Sequence, residues 1–212
     1  MRRRLSRSPT VTTLGLFLVV FVLQQAVGFL TSGATVQALF ALSTPVLRNP
    51  WTVVTSIYAH GSVSHLIANG AALALVGILL ERETTPARFH AFFLTTGALA
   101  GLAEVWLAAV TGTVIGGVTP QVAVIGGSGA IFALAGYLLT SNRLTDRVIG
   151  SISVSPRVQI ALFGLVAVAV TLATAQPQVA LIAHFTGLLL GLIAGRAHLL
   201  RPATDDRRPE PV

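Results

Sequence analysis

The chain has 212 residues, of which 53% are hydrophobic and only 10% are charged. With a mean hydropathy of +0.80, this composition is too apolar for an ordinary soluble domain and indicates an integral membrane protein. The absence of cysteine excludes a disulfide framework, a thiolate metal site and a thiol nucleophile. The net charge of +7 comes from arginines in loops and tails, so membrane topology explains it better than nucleic-acid binding.

Six apolar segments predict an all-α membrane protein with six transmembrane helices. The first runs from Val11 to Leu30, which is long enough to span a bilayer and lacks a clear signal-peptide cleavage site, so we expect it to be retained. The other five are expected near Ser62–Leu80, Phe89–Val110, Gly126–Thr140, Val158–Ala175 and Val179–Leu200. Residues 1–10 and 201–212 are then cytoplasmic tails, the second of them disordered, around one membrane domain of residues 11–200.

Two connections stand out by composition. Residues 31–60 mix apolar pieces with Gly33, Pro45, Pro50 and Trp51, which predicts a segment lying on the membrane surface. Residues 111–124 are uncharged and rich in glycine and threonine, and we expect them to form a loop.

The arginines predict the orientation. Thirteen of the fourteen fall in the two tails, in the connections after the second and fourth spans or at the end of the sixth span, and only Arg48 falls on the other side. By the positive-inside rule both termini are cytoplasmic, and the Ser128 end of the fourth span faces outward. The lysine-free basic set suggests the plasma membrane of a prokaryote.

Few polar groups lie within the spans, and each is a functional candidate because polar groups are costly there. Ser128 stands among Gly126, Gly127 and Gly129 at the head of the fourth helix, where backbone N–H groups are unpaired. His184 lies near the same end of the sixth span and has the chemistry to take the serine's proton. No buried aspartate stands ready to orient it, so the residues predict a Ser–His dyad.

Two further side chains suit the same chemistry. His65 and Asn69 are four residues apart on the second span and share a helix face. Their ring N–H and amide, with the Ser128 backbone N–H, could stabilise an oxyanion. His184 shares its own face with Gly187, Gly191 and Gly195, and such glycine ladders let membrane helices approach closely, here the helix that carries Ser128.

These residues resemble the rhomboid intramembrane serine proteases over nearly the whole chain. The segment from His60 to Asn69 is similar to the family's H-x4-H-L-x2-N motif, and residues 126–129 are similar to its G-x-S-G motif. Residues 183–191 are similar to its A-H-x-x-G-x-x-x-G helix.

The resemblance implies a six-helix rhomboid-like bundle and an intramembrane serine endopeptidase that cleaves transmembrane segments of other membrane proteins. Ser128 would be the nucleophile and His184 the general base, with His65 and Asn69 in the oxyanion hole. His60 would be a structural histidine, and Glu81 matches the acid that ends the second helix. The implied partners are transmembrane substrates and the lipid bilayer, and no metal or organic cofactor is implied.

The sequence departs from the family at two positions. The family's W-R pair reads Trp51-Thr52, which puts the anchoring of the first loop in doubt. The aromatic residue four positions after the nucleophile is Phe132, where a tyrosine is common; its ring can still stack against His184.

Other interpretations remain open. His65 and Asn69 could simply bridge helices, and the three imidazoles of His60, His65 and His184 could bind a transition metal. Glu104, inside the third span, is interpreted as a helix-to-helix hydrogen bond or a solvated rim residue. A catalytically inactive rhomboid-like protein that binds transmembrane clients is the alternative function; a transporter is disfavoured because no inverted repeat is found.

Overall fold

The architecture is a bundle of apolar helices, seen in a computed structural model that describes residues 8–116, 122–141, 155–174 and 180–201. Within these ranges the helices are α1 (Pro9–Leu30), α2 (Gly33–Phe40), α3 (Thr52–Tyr58), α4 (Val63–Leu80), α5 (Pro86–Gly116), α6 (Ser128–Ser141), α7 (Pro156–Ala173) and α8 (Leu181–Arg196). Residues 1–7 and 202–212 of the predicted tails lie outside the described residues, as do several arginines on which the predicted orientation rests.

Of the described helices, α1, α4 and α5 are long and apolar enough to cross a membrane. Helices α6, α7 and α8 are also apolar but shorter, and their positions agree with the fourth, fifth and sixth predicted spans. The expectation of an all-α membrane bundle is therefore confirmed.

Serines start three of these helices. The hydroxyl oxygens of Ser8, Ser32 and Ser62 accept the N–H groups of Val11, Thr35 and His65, respectively. Each bond satisfies a first-turn N–H that has no partner inside its helix, which is why the helices begin at these positions.

The bundle is built around α6, which packs against α8, α5 and α4. Its core-facing side chains are small or aliphatic, apart from Tyr137, and are almost completely buried. Because Gly187, Gly191 and Gly195 of α8 lie directly on the α6 backbone, these two helices make the closest contact in the bundle. Helix α7 covers the other side of α8 through Phe163 and Ala167.

The connection between α1 and α4 is folded. It contains α2, the short strand β1 (Leu42–Ser43), a 3-10 turn (Val46–Arg48) and α3. Strand β1 pairs antiparallel with β2 (Ala123–Val124), which immediately precedes the glycine-rich turn before α6. This pairing was not expected from the sequence, and it ties the segment predicted to lie on the membrane surface to the start of α6.

The third predicted span is longer than expected. Helix α5 extends to Gly116, whereas the composition predicted a loop from Thr111. The Thr111 and Thr113 hydroxyls donate to the carbonyls of Leu107 and Ala109 one turn earlier. Threonine can thus satisfy its hydroxyl within a helix, so a threonine-rich composition did not mark the helix end.

Candidate active site

The turn before Ser128 has a backbone conformation that requires glycine. Gly126 has φ of +122°, and its N–H donates to the Ser56 carbonyl in α3 at 2.8 Å. A side chain at Gly127 would meet Phe17 and the Ile57 carbonyl. Together with the β1–β2 pairing, these contacts hold Ser128 at the first position of α6.

His184 lies in the first turn of α8 and meets Ser128. Its Nε2 is 2.9 Å from the Ser128 Oγ, a hydrogen-bond distance. The ring stacks on Phe132, with centroids 4.3 Å apart and planes 28° from parallel. Phe132 lies one helical turn after Ser128, so α6 supplies both the hydroxyl and the surface against which the imidazole rests.

Among the described residues, none supplies a carboxylate to the other ring nitrogen of His184. Across the described residues, Nδ1 is buried and makes no hydrogen bond. The arrangement is therefore a pair of side chains, oriented by the Phe132 ring and by helix packing.

His65 and Asn69 lie on the other side of the glycine turn. A Cβ at Gly126 would come within 2.7 Å of the His65 Nε2 and within 3.8 Å of the Asn69 Nδ2, so both side chains face the turn before Ser128. Asn69 donates one N–H to the His65 carbonyl at 3.2 Å. An amide carries two N–H groups, so the second is left for another acceptor.

His60 is fully buried and is not among the residues that line the cavity beside Ser128 and His184. Its Nδ1 lies 3.1 Å from the Tyr58 carbonyl, to which it donates, and its backbone N–H donates to the Gln24 side chain. Its ring packs on Phe17 and on His65. Burial, with a smaller contribution from His65, lowers the pKa of His60 to about 4, so the ring is neutral at pH 7.

The candidate site opens into a cavity of about 730 Å³. Its walls come from the α3–α4 connection, α4, α5, the glycine turn, α6 and the start of α8. Among the lining residues are Ser128, His184, His65, Asn69, Gly126, Gly129 and Phe132. The structure thus brings the predicted site residues together at one cavity, with His60 and Gly127 behind the wall.

The imidazoles of His60, His65 and His184 are the candidate ligands of a metal site. Within the described ranges, no group of three or more histidine, aspartate or glutamate side chains is placed to hold a metal ion.

The Trp51-Thr52 pair is anchored without the arginine. The Trp51 Nε1 donates to the Ala38 carbonyl at 3.0 Å, and the Thr52 hydroxyl donates to the Asn49 carbonyl at 2.6 Å. Thr52 is buried. The first connection therefore has its own hydrogen bonds at the position where the sequence departs from the family pattern.

The sequence did not predict one backbone contributor to this site, nor the partner of Glu104. The Ser56 carbonyl could not be found, because a backbone acceptor leaves no side-chain signal. For Glu104 the sequence predicts a helix-to-helix hydrogen bond or a solvated rim position but no partner; its carboxylate accepts the N–H of Ala183 in α8, next to His184, at 2.8 Å.

Comparison with known proteins decides the family. The sequence model described as the Rhomboid domain matches residues 47–201, a stretch that includes every polar residue of the cavity. The chain belongs to the rhomboid family. This rhomboid is 30% identical over 152 residues to RHOMBOID-like protein 5 of Arabidopsis thaliana and 29% identical over 155 residues to RHOMBOID-like protein 1 of the same plant. Each alignment covers 72% of the chain, but only 45% and 35% of the two relatives, respectively.

Proposed function

We propose that this rhomboid protein is an intramembrane serine endopeptidase that cleaves peptide bonds in or near transmembrane segments of other membrane proteins. The observation that carries the proposal is the 2.9 Å separation of the Ser128 Oγ and the His184 Nε2 in a cavity that His65 and Asn69 also line. A serine hydroxyl is a weak nucleophile unless a base within hydrogen-bond reach removes its proton.

The proposed reaction has two halves. In the first, His184 takes the Ser128 proton as the Oγ attacks the substrate carbonyl carbon, and the same proton then passes to the departing amine, which leaves an acyl-enzyme. In the second, His184 takes a proton from water as the water oxygen attacks the ester, and returns it to Ser128 as the acid is released.

The negative oxygen formed in each half needs hydrogen-bond donors. His65, Asn69 and the backbone N–H of Ser128 are the proposed donors, because they surround the glycine turn next to the hydroxyl. Small or helix-breaking residues near the substrate's scissile bond would ease its exposure to the serine.

The positive-inside pattern supports cytoplasmic termini and a cavity on the opposite side of the membrane. A prokaryotic plasma membrane is proposed from the lysine-free basic set alone.

The test is cleavage of a tagged single-span substrate in liposomes by the wild type, Ser128→Ala and His184→Ala. Ser64→Ala is the matched control, because this serine lines the same cavity and its hydroxyl pairs with that of Ser62. We expect cleavage by the wild type and Ser64→Ala only, and fluorophosphonate labelling of the same two proteins. A wild type that neither cleaves a set of substrates nor takes the label would favour a client-binding, inactive rhomboid.

A further inference from the structure

Glu104 connects α5 to the turn that carries His184. Its Oε2 accepts the N–H of Ala183 at 2.8 Å, and Ala183 immediately precedes the histidine. Glu104 is partly buried and lies 79 residues before Ala183 in the sequence. It is one of the few ionisable groups inside the predicted spans.

The first turn of α8 needs such an acceptor. The residue before the helix is Ala180, which has no side-chain oxygen and makes no capping bond. The N–H of Ala183 belongs to the group of first-turn donors that a helix cannot satisfy itself. In an apolar environment an unpaired N–H is costly, and a carboxylate at a helix N-terminus is also favoured by the helix dipole.

The same face of α5 supports α6. Gly97, Ala100 and Glu104 follow one another at intervals of three and four residues and so share this face. Ala100 packs against Gly129, the residue after Ser128, and Gly97 packs against Ala130. One helix face therefore contacts the first turn of α6 and the first turn of α8.

We infer that Glu104 is a positioning residue: by capping α8 from the helix that also supports the start of α6, it fixes the His184 ring relative to the Ser128 hydroxyl. The inference rests on the proposed function, since it concerns the geometry of that reaction. It assigns Glu104 no contact with substrate. Because α8 lacks a cap of its own, loss of the carboxylate frees the first turn to move, and a displacement of the base by about 1 Å is enough to lower a rate up to a hundredfold.

The test compares Glu104→Leu, which removes the acceptor, with Glu104→Gln, which keeps an oxygen of the same reach. The matched control is Thr140→Val, because the Thr140 hydroxyl also makes an α6–α8 hydrogen bond, to the Leu192 carbonyl, but far from the dyad. Cleavage of a single-span substrate in liposomes gives kcat and KM. Hydrogen exchange measured by mass spectrometry on peptides covering residues 180–187 reports the first turn of α8 without any need for activity.

We expect Glu104→Leu to lower kcat by about tenfold to a hundredfold with KM changed less than about twofold, and to speed exchange in residues 180–187. Glu104→Gln should keep both kcat and the exchange rate of residues 180–187 close to those of the wild type. Thr140→Val should lower the melting temperature and leave kcat and this exchange unchanged.

The failures are distinguishable. If the wild type cleaves while Glu104→Leu retains both kcat and slow exchange, the role of Glu104 is overturned and the proposed function stands. If Thr140→Val lowers kcat as much as Glu104→Leu, any loss of an interhelical bond has the same effect and positioning is overturned. If the wild type and Ser128→Ala are equally inert on all substrates, the proposed function and the inference fall together.

Discussion

Gly187 of α8 faces the backbone carbonyl of Gly129 in α6 so closely that a Cβ on Gly187 would overlap the carbonyl oxygen. The contact lies beside both members of the proposed dyad, since Gly129 follows Ser128 and Gly187 is three residues after His184. Gly191 repeats the arrangement one turn further on, over the carbonyl of Ala133. The separation of the hydroxyl and the imidazole is thus set by backbone contact between two helices.

This contact predicts that Gly191→Ala destabilises the protein by about 1–3 kcal/mol, the usual cost of overpacking, and lowers the cleavage rate by widening the α6–α8 spacing. The control is Gly164→Ala in α7, where a Cβ would meet nothing within 4 Å. There the better helix propensity of alanine should leave stability unchanged or raised by up to about 1 kcal/mol. Thermal unfolding in detergent measures the stability of both variants. Equal melting temperatures for Gly191→Ala and Gly164→Ala would contradict the prediction.

Gly126 gives a second glycine comparison. Its positive φ disfavours any other residue, and the His65 ring leaves no room for a side chain. Gly126→Ala should therefore strain the turn by about 1–3 kcal/mol and lower kcat/KM by about tenfold or more. Gly61 lines the same cavity, and its added Cβ would make only an ordinary 3.8 Å contact with Ile125. Gly61→Ala should therefore cleave at nearly the wild-type rate, and a loss as large as that of Gly126→Ala would refute this explanation.

Phe132 stacks on His184, which predicts that catalysis needs an aromatic ring face at this position and does not need a hydroxyl group on it. Phe132→Leu removes a contact worth about 0.5–1.5 kcal/mol, so kcat should fall about twofold to tenfold. Phe132→Tyr keeps the face and should stay close to the wild type. Steady-state cleavage kinetics decide this, and a larger loss in the tyrosine variant than in the leucine variant would reverse the interpretation.

Glu81, at the end of α4, should contribute to stability and not to catalysis. Its carboxylate accepts the Ser8 hydroxyl at 2.6 Å and the Thr10 N–H at 3.3 Å, which joins α4 to the start of α1. Glu81→Ala should lower stability by about 1.5–3 kcal/mol and leave kcat unchanged. The exposed Glu83 provides the control: Glu83→Ala should melt like the wild type.

The lowered pKa of His60 predicts an acid-sensitive fold. In the folded protein the ring stays neutral down to about pH 4, whereas an unfolded histidine binds a proton below 6.5. The unfolded state therefore binds more protons between these values, and stability is lost as the pH falls, by up to about 1.4 kcal/mol per pH unit. His60→Asn should flatten this part of the curve of melting temperature against pH; parallel curves for the two proteins would disprove it.

Much of the site could be predicted because it follows helix periodicity. The i, i+4 spacing puts His65 and Asn69 on one helix face, and the glycines after His184 mark the face that meets α6. The order of the spans then places these groups at the same end of the bundle as Ser128. The β1–β2 pairing and the Gly126–Ser56 bond could not be predicted in this way. They join backbone groups of segments about 70 to 80 residues apart, and no side-chain pattern records such a partner.

Glu104 is an intermediate case. The free-energy cost of a carboxyl group inside an apolar helix marks Glu104 as unusual in the sequence. Its partner, however, is a backbone N–H, which lacks a capping acceptor because Ala180 has no side-chain oxygen. The length of α5 was mispredicted for a related reason, since the hydroxyls that suggested a loop are satisfied by the helix itself.

The pairing of Leu42 with Val124 and of Ser43 with Ala123 has a pharmacological consequence. It links the segment of residues 33–48 directly to the glycine turn before Ser128. An antibody fragment or macrocycle that grips this segment and bends it would disturb Ser128 from outside, without competing with a substrate for the cavity.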